Sequence, residues 1–289
     1  VTAPLPRHIA KDPVLKHIYQ EVWVNKMNQI ILVNGLPRTG KSELCLRLGE
    51  ALDPKFSVKN IVWKYKDLLN KIKDSKRIGE VIMWDEAGIA EWGINARTFW
   101  SEGNISASTL FQTMGFKRNI VLINLPMKMM LDKHVRSLIH VEIETKGVDM
   151  HLKKCRSKVV FIEPAFNWKN DVLTKFPRFF YKGVKYKLNQ KYWNRASKPL
   201  RVDYIRESNK LKQILQEKLI HDAKVKRLAE EKKAMKKDLE SLYNEVVKRK
   251  DEFWDDDKGG FDVLTVRLKL GISNQMAKDA CTLAERDCG

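Results

Sequence analysis

The chain has 289 residues, 43% of them hydrophobic, four cysteines and a formal net charge of +19 at pH 7. That length accommodates one ordinary α/β domain with an appendage, and no run approaches the ~18 uninterrupted apolar residues of a membrane-crossing helix. The opening residues 1–6 lack a signal-peptide core. Cys45, Cys155, Cys281 and Cys288 form no C-x-x-C pair and have no histidine cluster beside them, which argues against zinc and for a reduced, cytoplasmic chain.

The chain begins with a helical pattern over residues 11–26. The apolar, β-branched run Gln29–Asn34 then reads as a buried strand. It leads into Gly35, Leu36, Pro37, Arg38, Thr39, Gly40, Lys41 and Ser42, a complete G-x-x-x-x-G-K-[ST] phosphate-binding loop. Gly35 and Gly40 free the backbone to turn its N–H groups toward phosphate oxygens. Lys41 would reach the β- and γ-phosphates, and the Ser42 hydroxyl would hold Mg²⁺. From Glu43 onward, Leu44, Leu48 and Leu52 fall on one helical face. Strand, loop and helix in that order place the anion at a helix N-terminus. The expected cofactors are therefore ATP and Mg²⁺, with residues 35–43 (Glu43 included) as the nucleotide-binding set. The alternative is a Gly-rich turn that happens to contain Lys-Ser.

A second strand is expected over residues 60–65, followed by a helix capped by Asp67. Val81 to Trp84 read as a short buried strand ending in Asp85 and Glu86, at the end where parallel α/β sheets bind ligands. Asp85 would hold Mg²⁺, and Glu86 would polarise a lytic water. A helix is expected from about residue 96 to 117. Residues 119–124 form a third apolar strand, and Asn124 at its end is a candidate γ-phosphate sensor or an ordinary strand-end cap. Arg97, Arg118 and Arg136 are candidate arginine fingers for a neighbouring subunit, among which the sequence does not choose. His134 and His140 have no acidic partner in any motif and read as structural.

This alternation of strands and helices gives a doubly wound, mostly parallel α/β sheet over residues 1–145. A basic, β-rich extension occupies 146–205, with a hairpin turning at Lys182-Gly183. Its aromatic and basic residues interleave (Trp168, Arg178, Tyr181, Lys185, Tyr186, Tyr192, Trp193, Arg195). They could stack bases and hold phosphates, or form an aromatic core under lysines. A charged helical linker follows over 206–257. Residues 258–289 resemble a helix-turn-helix, with Asn274, Gln275 and Lys278 facing a DNA groove; Arg267 stands where such motifs carry a small residue. An αα-hairpin for protein docking is the other reading. Residues 146–250 carry 29 Lys and Arg against 12 Asp and Glu. A polyanionic partner follows, nucleic acid first and an acidic membrane surface second; a solvated lysine-rich helix is the bland alternative.

The run from Asp85-Glu86-Ala87, through Arg118 and the strand ending at Asn124, to residues 131–136 resembles the N-terminal ATPase domain of zonular-occludens-toxin-like proteins. These are similar to the FtsK–HerA class of DNA-pumping ATPases of viruses and plasmids, archaeal ones included. The resemblance spans about residues 25–145, with Asn124 where many members carry Gln. It implies ATP-driven handling of DNA, in double-stranded form, by a homo-oligomer that can be a ring. Three functions are open at this point: a Mg²⁺-dependent ATPase coupled to DNA translocation, packaging or transfer; a nucleotide-gated DNA-binding adaptor or helicase loader with slow turnover; and a P-loop small-molecule kinase.

Overall fold

The computed structural model of the chain describes residues 5–87, 114–131, 133–164, 172–255 and 259–288. They divide into two compact units, residues 1–208 and 209–289.

The first unit is built on one sheet. Its strands are β1 (Gln29–Asn34), β2 (Ile61–Val62), β3 (Val81–Trp84), β4 (Ile120–Asn124), β5 (Val141–Asp149), β6 (Lys154–Pro164), β7 (Val172–Lys175) and β10 (Lys191–Trp193). Their order is β10-β6-β5-β1-β4-β3-β2, with β7 also on β6. β5, β1, β4, β3 and β2 are mutually parallel. β6, β7 and β10 continue the sheet antiparallel. The architecture is mixed α/β with a mostly parallel centre, consistent with a P-loop-like fold. The β-rich segment beyond residue 146 extends this same sheet.

Side-chain alternation along the central strands explains why the sheet is covered on both faces. Ile31, Val33, Val81, Met83, Ile120 and Leu122 join one apolar cluster with Leu44, Leu48 and Leu52. Ile30, Leu32, Ile82, Trp84, Val121 and Ile123 join another, with Leu68, Ile72 and Val135. Strands buried on both faces read as continuous apolar runs, which is why these segments lack a polar alternation. The first face is covered by α1 (Arg7–Ala10), α2 (Pro13–Tyr19) and α3 (Lys41–Leu52). The second is covered by α4 (Tyr65–Asp74) and α5 (Lys133–Ser137).

Three local expectations are corrected. The N-terminal helical pattern is α2, capped by Asp12, which accepts from Val14 and Leu15 N–H. A π-turn over Gln20–Val24 follows it, not a single helix to residue 26. α4 starts at Tyr65 after Lys64, so Asp67 lies inside its first turn and does not cap it. The hairpin of β8 (Arg178–Tyr181) and β9 (Val184–Lys187) is a separate two-stranded sheet with every residue exposed. The aromatic-core reading therefore fails for Tyr181 and Tyr186, whereas Trp193 is buried in the first unit's core. Trp168 and the helix expected over 96–117 lie outside the described residues, apart from a 3₁₀ turn at Met114–Lys117.

α6 (Lys198–Lys248) is one 51-residue helix. Leu200 and Tyr204 in its first turns pack in the first unit's core. In the second unit, α7 (Lys250–Phe253) is followed by α8 (Val263–Leu270) and α9 (Asn274–Cys288), which are separated by Gly271 in the left-handed conformation (φ 64°). Val266, Ala277, Ala280, Cys281 and Ala284 pack with Val246 and Phe253. Arg267 is exposed, so the inter-helix contact falls to Val266 and small alanines. No helix among the described residues is long and apolar enough to cross a membrane.

Candidate functional site

Residues 35–42 connect the end of β1 to α3. Three residues of this loop hold positive φ: Gly35 (143°), Arg38 (64°) and Gly40 (91°). At Gly35 a glycine is required twice over, since a Cβ there would sit 2.2 Å from Thr145 Oγ1 and 2.7 Å from the Thr145 carbonyl. Thr145 on β5 secures the loop. Its hydroxyl donates to the Asn34 carbonyl at 3.0 Å and lies 2.6 Å from Thr39 Oγ1, which in turn donates to the Leu36 carbonyl. Gly35 N–H donates to the Pro126 carbonyl after β4. The loop is thus held from both neighbouring strands.

Gly40 precedes α3 with no side-chain cap. The first N–H groups of the helix keep no side-chain acceptor, which makes this end able to receive an anion. Lys41 Nζ donates to the Leu36 carbonyl at 2.8 Å. Burial lowers the Lys41 pKa, while the charges of Cys45, Asp85 and Glu86 oppose that shift.

Asp85 follows β3 and is fully buried. Its N–H donates to the Val62 carbonyl, and the Ala87 N–H to the Asn124 carbonyl, so the acidic turn is pinned to β2 and β4. Glu86 between them adopts φ 53°, in the left-handed region. That region is costly for a residue other than glycine and tends to be kept where a site over-determines the backbone. Because β4 lies between β1 and β3, Asn124 falls between the loop and the acids. Its Nδ2 donates to Ser42 Oγ at 3.1 Å and also to Asp85 Oδ1. Asn124 Oδ1 is buried with no hydrogen-bond partner. The strand order therefore gathers Ser42, Asp85 and Asn124 into one constellation. The Ser42 hydroxyl and Asp85 carboxylate supply the hard oxygens that Mg²⁺ takes, and they share one amide donor, so the residues present fit that ion.

Two contacts here were not visible from motifs. The Tyr204 hydroxyl on α6 donates to Asp85 Oδ2 at 2.6 Å. Burial and the Asp85 charge push the Tyr204 pKa far up, so the phenol stays a donor. Ser42 and Ser208 hydroxyls also hydrogen-bond to it. Glu43, expected in the nucleotide set, instead accepts the Ala196 N–H at 2.9 Å, and Arg201 lies 3.7 Å away. Ser197 N–H donates to Glu50. The chain leading into α6 is therefore fastened along α3. Only a buried tyrosine at helical spacing from Leu200 and Ser208 could have signalled this in the sequence.

Among the described residues, neither Arg118 nor Arg136 hydrogen-bonds or ion-pairs with Ser42, Asp85 or Asn124. Arg118 holds φ 52° before β4. Arg136 Nη1 contacts Met129 Sδ at 2.9 Å, and its Nε is buried without a partner. Arg97 lies outside the described residues. Asn274, Gln275 and Lys278 are exposed along α9, with Gln275 donating to Asp279.

No family model and no curated protein matches the chain. Among solved structures, the chain is similar to the crystal structure of the N-terminal domain of zonular occludens toxin from Neisseria meningitidis. The similarity has 16% identity and a TM-score of 0.34, and covers 52% of this chain and 94% of that one. At that level the relation is distant and carries no argument about activity.

Proposed function

We propose that the chain binds Mg·ATP at residues 35–42 and hydrolyses it, coupling turnover to movement, packaging or transfer of DNA. The observation that supports this most is the single amide of Asn124 donating to both Ser42 and Asp85, next to a glycine loop at a helix N-terminus. Backbone N–H groups of residues 38–41 and the Lys41 ammonium bind and orient the triphosphate. Ser42 and Asp85 hold Mg²⁺, which when bound neutralises charge on the phosphate oxygens. Glu86 orients a water toward the γ-phosphorus. Asn124 fixes the Asp85 carboxylate and the Ser42 hydroxyl, and would reach the γ-phosphate by giving up its N–H bond to Ser42. The basic stretch 146–250 supports a nucleic-acid partner. Arg118 or Arg136 supplied by a second copy would complete charge neutralisation in an oligomer, and Asn274, Gln275 and Lys278 would add contacts to duplex DNA.

One observation favours the slow-turnover adaptor as a second reading: the Tyr204 hydroxyl shares Asp85 and Ser42, so α6 is attached to the site that nucleotide would occupy. Phosphate release at low salt, with and without duplex DNA, separates the two. The motor reading expects DNA-stimulated release that is lost in Lys41→Ala and Glu86→Gln. Absence of turnover with and without DNA, or full activity in Lys41→Ala, contradicts it. Slow, DNA-insensitive release with intact nucleotide binding supports the adaptor.

A further inference from the structure

The β8–β9 hairpin has no part in the nucleotide site, and its composition calls for an explanation. Its register pairs Phe179 with Tyr186 and Tyr181 with Val184 on one face, and Arg178 with Lys187 and Phe180 with Lys185 on the other. The rings of Phe179 and Tyr186 stack at 5.6 Å. Phe180 is 70% exposed, Tyr181 59% and Tyr186 44%. Lys182 lies over the Tyr181 ring, Lys185 over Phe180, and Lys187 over Phe176 at the hairpin base. Between Asp171 and Asp203 the chain has nine Lys and Arg and no acid.

Lys175, Lys191 and Arg201 of these pair with Glu163, Asp12 and Glu43, but exposed rings on both faces of the ribbon mark an interaction site, and the hairpin's own cations beside them select a polyanion. Rings with cations beside them match single strands, whose bases offer free π-faces and whose phosphates take the lysines. A duplex hides those base faces and would leave the rings idle. A lipid surface would be entered tip first, yet the tip is Lys182-Gly183 and the apolar residues lie along the shaft.

We propose that the hairpin Arg178–Lys187 binds single-stranded nucleic acid, with bases stacking on Tyr181 and Tyr186 on one face and on Phe180 on the other, and phosphates held by Lys182 at the tip and by Lys185 and Lys187 on the Phe180 face. This adds a surface to the nucleic-acid reading above but does not require nucleotide.

The test is fluorescence anisotropy of a labelled oligothymidine with the full chain, without ATP and at low salt. The single strand should bind at least about tenfold more tightly than a duplex of equal length. Tyr181→Ala and Tyr186→Ala should each weaken it roughly five- to hundredfold. Tyr181→Phe should bind like the parent, whereas Tyr181→Leu, apolar but without a π-face, should behave like the alanine variant. Changing Lys182, Lys185 and Lys187 together to Gln should reduce the log–log salt slope by about two. Melting temperatures should not move in the Tyr181 and lysine variants, whose side chains are exposed; Tyr186→Ala also removes the ring contact with Phe179, so its binding loss is read against that of Tyr181→Ala. Unchanged affinity in the alanine variants, a preference for duplex, or Leu serving as well as Phe overturns the proposal. So does displacement of the strand by phosphatidylserine vesicles that capture the protein through the same residues. Lys41→Ala should leave strand binding intact, so failure of the nucleotide reading and failure of this one are separable.

Discussion

Replacing Tyr204 by Phe removes one oxygen and keeps a ring that is 8% exposed. The partners left behind are the Ser42 and Ser208 hydroxyls and Asp85, whose carboxylate is fully buried and whose Oδ2 receives the phenol at 2.6 Å. A hydrogen bond to a charged group contributes about 1.5–3 kcal/mol net, and a buried acceptor that loses its donor retains the desolvation cost. The expected loss is therefore about 2 kcal/mol from the first unit. For a unit of this size that lowers the melting temperature by about 4–8 °C. Thermal unfolding followed by circular dichroism measures it, with urea titration as the equilibrium check. A double-mutant cycle with Asp85→Asn isolates the contact. The Tyr204→Phe cost should shrink by about 1.5 kcal/mol or more in the Asp85→Asn background. A cost below about 0.5 kcal/mol, or an equal cost in both backgrounds, would refute the claim that the start of α6 is fastened through the acid at the candidate site.

Other expectations concern the loop and the core. Gly35→Ala should both destabilise the first unit, by roughly 1–3 kcal/mol, and abolish nucleotide binding, since φ 143° and Thr145 leave no room for a Cβ; a variant with parental stability and binding contradicts this geometry. His140 Nδ1 accepts the Ile30 N–H at 3.0 Å, and burial holds its pKa below 6.5 against the charge of Glu21, with His17 adding to the lowering. His17 is lowered too, by burial first. A native histidine kept neutral contributes stability that is present above the unfolded pKa and lost as pH falls below about 6.5. Melting should be lower at pH 5.5 than at 7.5, and a flat profile counts against it. Burial raises the Asp53 pKa, but hydrogen bonds from Arg77 and from the Lys55 and Val81 N–H groups, together with the Arg77 charge, outweigh it and leave the pKa lowered. That contribution is present above about pH 3.9 and is lost as pH falls through the lower folded value. Asp53→Asn should reduce stability at pH 7 and flatten the acid limb of the stability profile; a parental limb argues otherwise.

The parts of the fold that sequence could reveal were those set by local repetition. β1, β3 and β4 appear as unbroken apolar runs because both faces are covered. α3 shows its leucines at helical spacing, and α6 shows itself by charge and the absence of breakers. The glycines at 35 and 40 mark backbone that side chains would block, so the loop was legible as well. What could not be read was long-range pairing. Asn124 could be named as a candidate from its place at a strand end, but that β4 inserts between β1 and β3 and gives it hydrogen bonds to both Ser42 and Asp85 follows from strand order. Tyr204 meets Asp85 across 119 residues, and Thr145 meets Thr39 across 106. Each looks like an ordinary core or strand residue until the sheet is assembled. The hairpin was legible as a hairpin, but alternation could not tell exposed rings from buried ones, because among the described residues no other element buries them.

The central claim is that main-chain amides of residues 38–41 and the Lys41 ammonium grip a triphosphate. Titration calorimetry with Mg·ATP on the parent and on Lys41→Ala tests it most directly. Saturable one-site binding should weaken by roughly ten- to hundredfold in the variant, the size of a lost charge-assisted contact. Absence of saturable binding by the parent, or equal affinity in the two proteins, would contradict it.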